Sequence, residues 1–489
     1  MSVVRRLGGR FAPEALVAVA VFIVLIAFAS GYGYHRDELY FLAAGNHLDW
    51  SYADQGPFTP ALARLMNALD SGSLTMLRVP SAIAAGLVVF LTGRLARELG
   101  AGRIGRLVAS VAIAGSGLVL FAGHTMSTET FDLLAWTLVT WLVVKALRSG
   151  RDQLWLLVGL VLGIALLNKP LPAFLAVALL LGCAIAGPRR LLRSRWVWGG
   201  ALIAVVLWMP WLIWQAHHHW PQFAVAKSIA AGGSTSSQPW WAVVPYQVLL
   251  AGPPLAPIWI TGLVLLFRDP RLRDLRLFGW AWVLLAIAFM ATGGKPYYLS
   301  GLLPLLIAAG AEPAAQWAAR ARPRRNLLIA VTAVNGVITL LVALPILPAR
   351  DTGVVVAMNP DVGETIGWPE FVHTVARVAA PLPHPVIFTD NYGEAGAIDR
   401  FGLQYGLPRA YSGHNAFADW GPPPDTTSPV VVVGFKPAML DERFRDCTIR
   451  AHVTNTDGVD NDEHGEPIAV CVGPAQPWST EWRALKHLG

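Results

Sequence analysis

Charge is what this chain has least of: 14% of its 489 residues are Asp, Glu, Lys or Arg, against about a quarter in an average soluble chain. With 54% hydrophobic residues, 20 Trp and a mean hydropathy of +0.49, that shortage excludes an ordinary water-soluble fold and leaves a polytopic membrane protein. The formal charge of +7 does not signal nucleic acid, because the cations fall in short clusters between apolar runs, as loop anchors do. Cysteine is scarce, at three residues. Cys183 lies in an apolar run as core filler, whereas Cys447 and Cys471 either pair as a disulfide or stay separately buried. Internal repeats are missing too, which weighs against a transporter or lipid flippase, since such folds often show repeated halves.

What is abundant is apolar sequence, in eleven runs: 14–32, 77–96, 105–122, 129–147, 153–168, 170–187, 196–214, 245–267, 277–292, 297–317 and 326–347. Most approach the roughly 20 residues an α-helix needs to cross about 30 Å of hydrocarbon, and the shorter ones imply tilt or thinning. With the N-terminus cytoplasmic, the inside segments hold 22 Lys and Arg, among them Arg5, Arg6, Arg10, Arg94, Arg106, Arg189 and Arg268. The outside loops before residue 350 hold six: Arg36, Arg64, Arg78, Lys169, Lys227 and Lys295. This imbalance sets the orientation by the positive-inside rule, and eleven crossings put everything after Pro348 outside. Arg5, Arg6 and Arg10, an apolar core and Ala27-Phe28-Ala29 before Ser30 also resemble a signal peptide, and cleavage there would still leave the next loop on the outer face.

After Pro348 the chain changes character, carrying 18 of the 31 acids and no run long enough to span. Val386–Thr389 and Val430–Val433 read as buried strands, and 393–405 has helical spacing. The expected architecture is therefore a transmembrane catalytic domain over 1–348, with a first outer loop at 33–76, and a small extracytoplasmic α/β domain over 349–489.

That first loop, YHRDELYFLAAGNHLDWSYADQGPFTPALARL from Tyr34, collects His35, Arg36, Asp37, Glu38, His47, Asp49 and Asp54 beside the membrane. Carboxylates there are costly to desolvate and mark function. If the stretch is helical, Asp37 and Glu38 project in different directions, so one can face a cavity while the other holds a cation, a metal or the helix frame. The bland alternative is a solvated juxtamembrane pair. Asp54 and Gln55 open a turn into a short amphipathic helix over 59–70, with Leu62, Leu65, Met66 and Leu69 as its interfacial stripe. Two more polar features meet the same face. His124-Thr125-Met126-Ser127-Thr128-Glu129 leads into a helix, with Glu129 placed to cap and Asp132 one turn deeper. Gly293-Gly294-Lys295-Pro296-Tyr297-Tyr298 sets a lysine beside two tyrosines, as an interface anchor or as a point charge for phosphate. His217-His218-His219 cannot all face one ion on a regular element, and this stretch reads as an interface or gating loop.

The order of Asp37-Glu38, YADQGPFTP, STETFDLLAWTL, NKP at 168–170 and GGKPYYLSGLLPLL resembles GT-C glycosyltransferases of the family 39 and 83 type, related to protein O-mannosyltransferases and lipid A aminoarabinose transferases. The likeness covers about residues 14–318, and the first-loop acid pair is its most telling signature. TDNYGEAGAI at 389–398 and SGHNAFADWGP at 412–422 look like the tail of uncharacterised bacterial relatives. The resemblance implies hexosyl or pentosyl transfer from a polyprenyl-phosphate sugar to a hydroxyl of an envelope glycan, lipid or protein. It makes Asp37 the catalytic acid, Glu38 its neighbour, Asp132 the second acid and Lys295 the cation near the donor phosphate. No inserted outer domain separates the middle spans, unlike the larger mannosyltransferases, which weighs against a protein acceptor.

The chemistry fits these residues. An acceptor hydroxyl needs a carboxylate to take its proton, here Asp37, and a departing phosphate needs positive charge from Lys295 with Arg36, Lys169 ranking next and Tyr297 and Tyr298 beside them. A single base without a covalent nucleophile implies inversion. Asp54, Gln55, His124 and Glu129 are the candidate substrate-binding residues. No cofactor is required by any motif; a divalent metal on Glu38 and a nearby His stays open, with no ligand set demanding one. All of this expects a buried Asp37 facing a cavity open to a lipid phosphate.

Overall fold

Apolar runs of this length become helices because only a helix pairs every backbone amide within its own segment when water is absent. The computed structural model describes residues 12–234, 236–425 and 428–488. Arg5, Arg6 and Arg10 lie outside the described residues. Among the described residues, six helices are long and apolar enough to cross a membrane: Leu74–Glu98, Thr128–Ser149, Arg195–His217, Pro270–Thr292, Pro296–Ala319 and Arg322–Ala343. Two further pairs are sharply bent, Arg103–Ala114 with Gly117–His124 at 57° and Trp240–Ala251 with Pro253–Arg268 at 92°. Pro13–Phe28, Leu154–Leu166 and Leu171–Ala186 are apolar but shorter. By length and composition the spans number six, or up to eight with each bent pair as one, against the eleven expected. Every one of the eleven apolar runs nonetheless falls on helix; the difference arises from helices that stop short or break.

The chain folds as two compact units. One holds the described part of Met1–Ala29 with Arg78–His219 and Ile229–Leu344; the other holds Ser30–Leu77, Trp220–Ser228 and Pro345–Gly489. The first outer loop therefore groups with the C-terminal region, a partition that the sequence boundary at 348 does not anticipate.

In the first unit, the stretch Pro296–Ala319 is the most enclosed, 78% of its apolar window being buried, and packs with Ala256–Arg268 and Arg103–Ala114. Arg322–Ala343 is the opposite, 11% buried. It leaves Leu327, Ile329, Val334, Val337 and Ile338 at least half exposed, an apolar stripe too continuous for a surface facing water and suited to lipid.

In the second unit the strands are β1 (Val386–Thr389), β2 (Ala410–Ser412), β3 (Val430–Val433), β4 (Phe444–Arg445), β5 (Thr448–His452), β6 (Pro467–Cys471) and β7 (Gly473–Pro474). A five-stranded sheet runs β2-β1-β3-β6-β5, and β4 pairs with β7. β1 is parallel to both β2 and β3, whereas β6 is antiparallel to β3 and β5. β3 is Val at all four positions and wholly buried, as a strand covered on both faces must be. Phe388, Trp478 and Trp482 fill one side. Cys447, just before β5, and Cys471, at the end of β6, form a disulfide, and Cys183 is free and buried. The interfacial helix expected over 59–70 is Phe58–Leu69; Leu65 and Leu69 of its stripe are exposed, but Met66 is buried.

Candidate active site

The helix Arg36–Asn46 begins with a capping box. The ring Nδ1 of His35 accepts from the Asp37 backbone N–H at 3.2 Å, and the Glu38 carboxylate accepts from the His35 N–H at 2.9 Å. Glu38 is fully buried in that task. Asp37 points elsewhere: its Oδ1 accepts from the Tyr392 hydroxyl at 2.7 Å, its Oδ2 lies 4.0 Å from His35 Nδ1, and its side chain keeps 34% exposure. The carboxylate is thus partly open, where the sequence led to the expectation of a buried one. Arg36 turns to acids, donating to Asp462 at 2.9 Å with Glu364 at 3.5 Å, and lies 5.1 Å from the Tyr392 ring centre. Burial and the nearby Glu463 carboxylate push the Glu364 carboxyl up, against the pull of Arg36.

One turn further on, the Tyr40 hydroxyl donates to Asp54 Oδ1 at 2.7 Å and accepts from the Ala416 N–H at 3.1 Å, while the Asn415 amide donates to Asp54 Oδ2 at 3.2 Å. Burial pushes the Asp54 carboxyl up to about 6, with the Asp37 and Asp419 charges adding, although the Tyr40 hydrogen bond pulls the other way. Burial likewise raises Tyr40 and Tyr392 well above the ordinary phenol range, so both remain hydroxyl donors at neutral pH. Gln55 is 4% exposed, and among the described residues neither its amide oxygen nor its nitrogen has a hydrogen-bond partner.

In the first unit a separate polar cluster forms where helices end. Ser127 caps Thr128–Ser149, accepting from the Thr130 N–H, and Glu129 sits in the first turn. Lys169 Nζ meets Glu129 Oε1 at 2.5 Å, and the Tyr297 hydroxyl donates to the same oxygen at 3.2 Å. The Asn168 amide donates to the Thr128 carbonyl at 2.8 Å, fixing the loop that carries the lysine. Lys169 also lies 5.6 Å and 5.2 Å from the Tyr297 and Tyr298 ring centres, and Lys295 lies 6.0 Å from Tyr297. Asp132, 8% exposed, accepts from the Trp136 indole at 3.1 Å. The STET, NKP and GGKPYY motifs therefore converge around Glu129. His124 is buried beside Arg78, 3.4 Å away, whose guanidinium donates to the Ala29 carbonyl. His218 stacks on Trp214 at 3.8 Å at the end of its helix. Among the described residues no three His, Cys, Asp or Glu gather as a metal-binding group.

Sequence reasoning missed Tyr392, Asn415, Tyr40 and Asn168. The available signal was the polar Asp390-Asn391-Tyr392-Gly393 at the carboxyl end of a strand, where open α/β sheets place their sites.

In fold, this arrangement of apolar helices and a carboxylate-bearing first loop is similar to that of solved glycosyltransferase structures. ArnT from Cupriavidus metallidurans bound to undecaprenyl phosphate is similar at a TM-score of 0.58 and 15% identity, over 93% of this chain and 97% of ArnT. The Archaeoglobus fulgidus oligosaccharyltransferase tethered to an acceptor peptide is similar at 0.52 and 12% identity, over 82% of this chain and 64% of that one. Residues 54–214 match the family model described as dolichyl-phosphate-mannose-protein mannosyltransferase. That segment takes in Asp54, Glu129, Asp132 and Lys169 but neither Asp37 nor Lys295. No curated protein matches the chain in sequence.

Proposed function

We propose that this protein transfers a sugar from a polyprenyl-phosphate donor to an acceptor hydroxyl at the outer face of the membrane, with inversion at the anomeric carbon. The observation that carries the reading is Asp37: a partly exposed carboxylate, one oxygen held by Tyr392, in a chain of GT-C fold. Asp37 takes the acceptor proton as the new bond forms, and the phosphate leaves toward lysine charge. Lys169 and Lys295, gathered around Glu129 and Tyr297, suit that second role. Arg36 does not, being matched by Asp462 and Glu364, and Glu38 serves the helix frame. Asp54, Gln55, His124 and Asp132 remain candidates for substrate contact. In this reading all eleven apolar runs cross the membrane, the N-terminus is cytoplasmic and residues 349–489 are extracytoplasmic, an arrangement supported by the 22-to-6 split of cations before residue 350.

The test is transfer by the purified full chain in vesicles containing undecaprenyl-phosphate-linked radiolabelled hexoses and pentoses, with an envelope extract as acceptor. Release of undecaprenyl phosphate and labelling of the extract are expected, with loss of both in Asp37→Asn. Wild-type movement of the lipid-linked sugar across the vesicle wall without any transfer would replace the enzyme by a flippase.

A further inference from the structure

The C-terminal region supplies something to Asp37 that the loop alone cannot. In the five-stranded sheet, β1 leads through the helix Tyr392–Phe401 to β2 on one side, and β3 pairs on the other. The chain therefore reverses direction of build between β1 and β3, and the crevice outside the carboxyl ends of such strands is where open α/β sheets carry function. Tyr392 is the first residue of the helix leaving that crevice. Gly393 and Gly396, on the same helix, let it approach Arg36–Asn46 closely: a Cβ at Gly393 would come 3.0 Å from Arg36 Cβ, and one at Gly396 would come 2.9 Å from the Leu39 carbonyl carbon. The Tyr392 ring is fixed by stacking on Tyr40 at 4.6 Å, by His414 at 4.7 Å and by the Arg36 guanidinium at 5.1 Å. Its backbone N–H donates to His414 Nδ1 at 3.4 Å. Ring, backbone and helix are thus all held where the hydroxyl meets Asp37 Oδ1 at 2.7 Å.

We propose that Tyr392 is the positioning residue for Asp37, occupying Oδ1 so that Oδ2 is the oxygen presented to the acceptor. This rests on Asp37 being the base. In the step, the acceptor O–H proton passes to Oδ2, the acceptor oxygen bonds to the anomeric carbon, and the bond from that carbon to phosphate oxygen breaks with its electron pair leaving on the polyprenyl phosphate. The Tyr392 proton stays on the phenol. Its donation orients the carboxylate in the ground state and weakens as the carboxylate is neutralised, so the benefit is one of placement, and the ring without its hydroxyl should not replace it.

Tyr392→Phe keeps the ring contacts and removes only the hydroxyl. In the vesicle assay kcat should fall about ten-fold or more, as for loss of a hydrogen bond to a charged group, with KM for the donor unchanged and the unfolding temperature close to that of the wild type. A second readout needs no turnover: 3-fluorotyrosine placed at 392 in the full chain should show a fluorine resonance that moves when Asp37→Asn removes the charge. A resonance indifferent to Asp37→Asn overturns the inference. So does Tyr392→Phe at the wild-type rate beside an inactive Asp37→Asn. An Asp37→Asn variant as active as the wild type defeats the base assignment itself, which separates the two failures.

Discussion

Asp37 and Glu38 are adjacent and chemically alike, yet the helix beginning at Arg36 sends them to different work. Glu38 is the third helical residue, so its carboxylate reaches back to the His35 N–H, while Asp37 is left for Tyr392. Asp54 makes a titration prediction. Its folded carboxyl sits at about 6 against an ordinary 3.8, because burial disfavours the charge. A group raised on folding contributes stability that is fully present below its unfolded value and is lost as pH rises through the folded one. The second unit should therefore lose thermal stability as pH goes from 4 to 6, and Asp54→Asn should flatten that part of the profile; an unchanged slope in the variant would place the titration elsewhere. The acid pair was legible in the sequence because local helical geometry separates neighbouring side chains. Which of the two would serve the helix frame was not, since His is not among the usual N-cap residues. The polar end of β1 marked the position of Tyr392, but the pairings of Tyr392 and Asn415 were beyond reach, being 355 and 361 positions from their partners with no local period to betray them.

Helices are where hydropathy and structure part company. The runs 105–122 and 245–267 each read as one span, because an apolar window measures length and is blind to direction. Each instead bends, at Gly115-Ser116 and at Gly252. Breaking a helix in an apolar setting strands backbone carbonyls, which must find partners. Asn335 supplies one: this residue, 4% exposed on an otherwise lipid-suited helix, donates through its amide to the Gly115 carbonyl at 2.7 Å. The same side chain lies against Gly252, whose φ of 92° favours glycine and where any Cβ would collide with the Asn335 amide. One asparagine thus serves both breaks. Asn335→Leu should leave the carbonyl unpaired and destabilise the first unit by about 1–3 kcal/mol, seen as a lower unfolding temperature in detergent. Gly252→Ala should lower it as well, through strain and collision. Equal stability of Asn335→Leu and wild type would mean that another group pairs the Gly115 carbonyl.

At the scale of the whole molecule, two independent chemistries bear on which side the second unit occupies. Cations before residue 350 are divided unevenly among alternate loops, and the rule behind that bias is a property of insertion rather than of the folded state. The Cys447–Cys471 disulfide is a separate matter, since such bonds persist in oxidising compartments and are rare in the cytosol. Both favour an extracytoplasmic location for the C-terminal region, and neither depends on the other. Enzyme reporters distinguish the arrangements: alkaline phosphatase, which needs export for activity, should be active when fused after residue 350 and inactive when fused after Gly150, where Lys145, Arg148 and Arg151 cluster. Activity at both junctions would mean an even number of crossings between them and would move the C-terminal region to the same side as that basic loop. Activity at neither would put both in the cytoplasm, and with them the Asp37 loop, which belongs to the same compact unit as the C-terminal region. The expected pattern places the sheet, Tyr392 and the disulfide together on the side where the proposed transfer would take place.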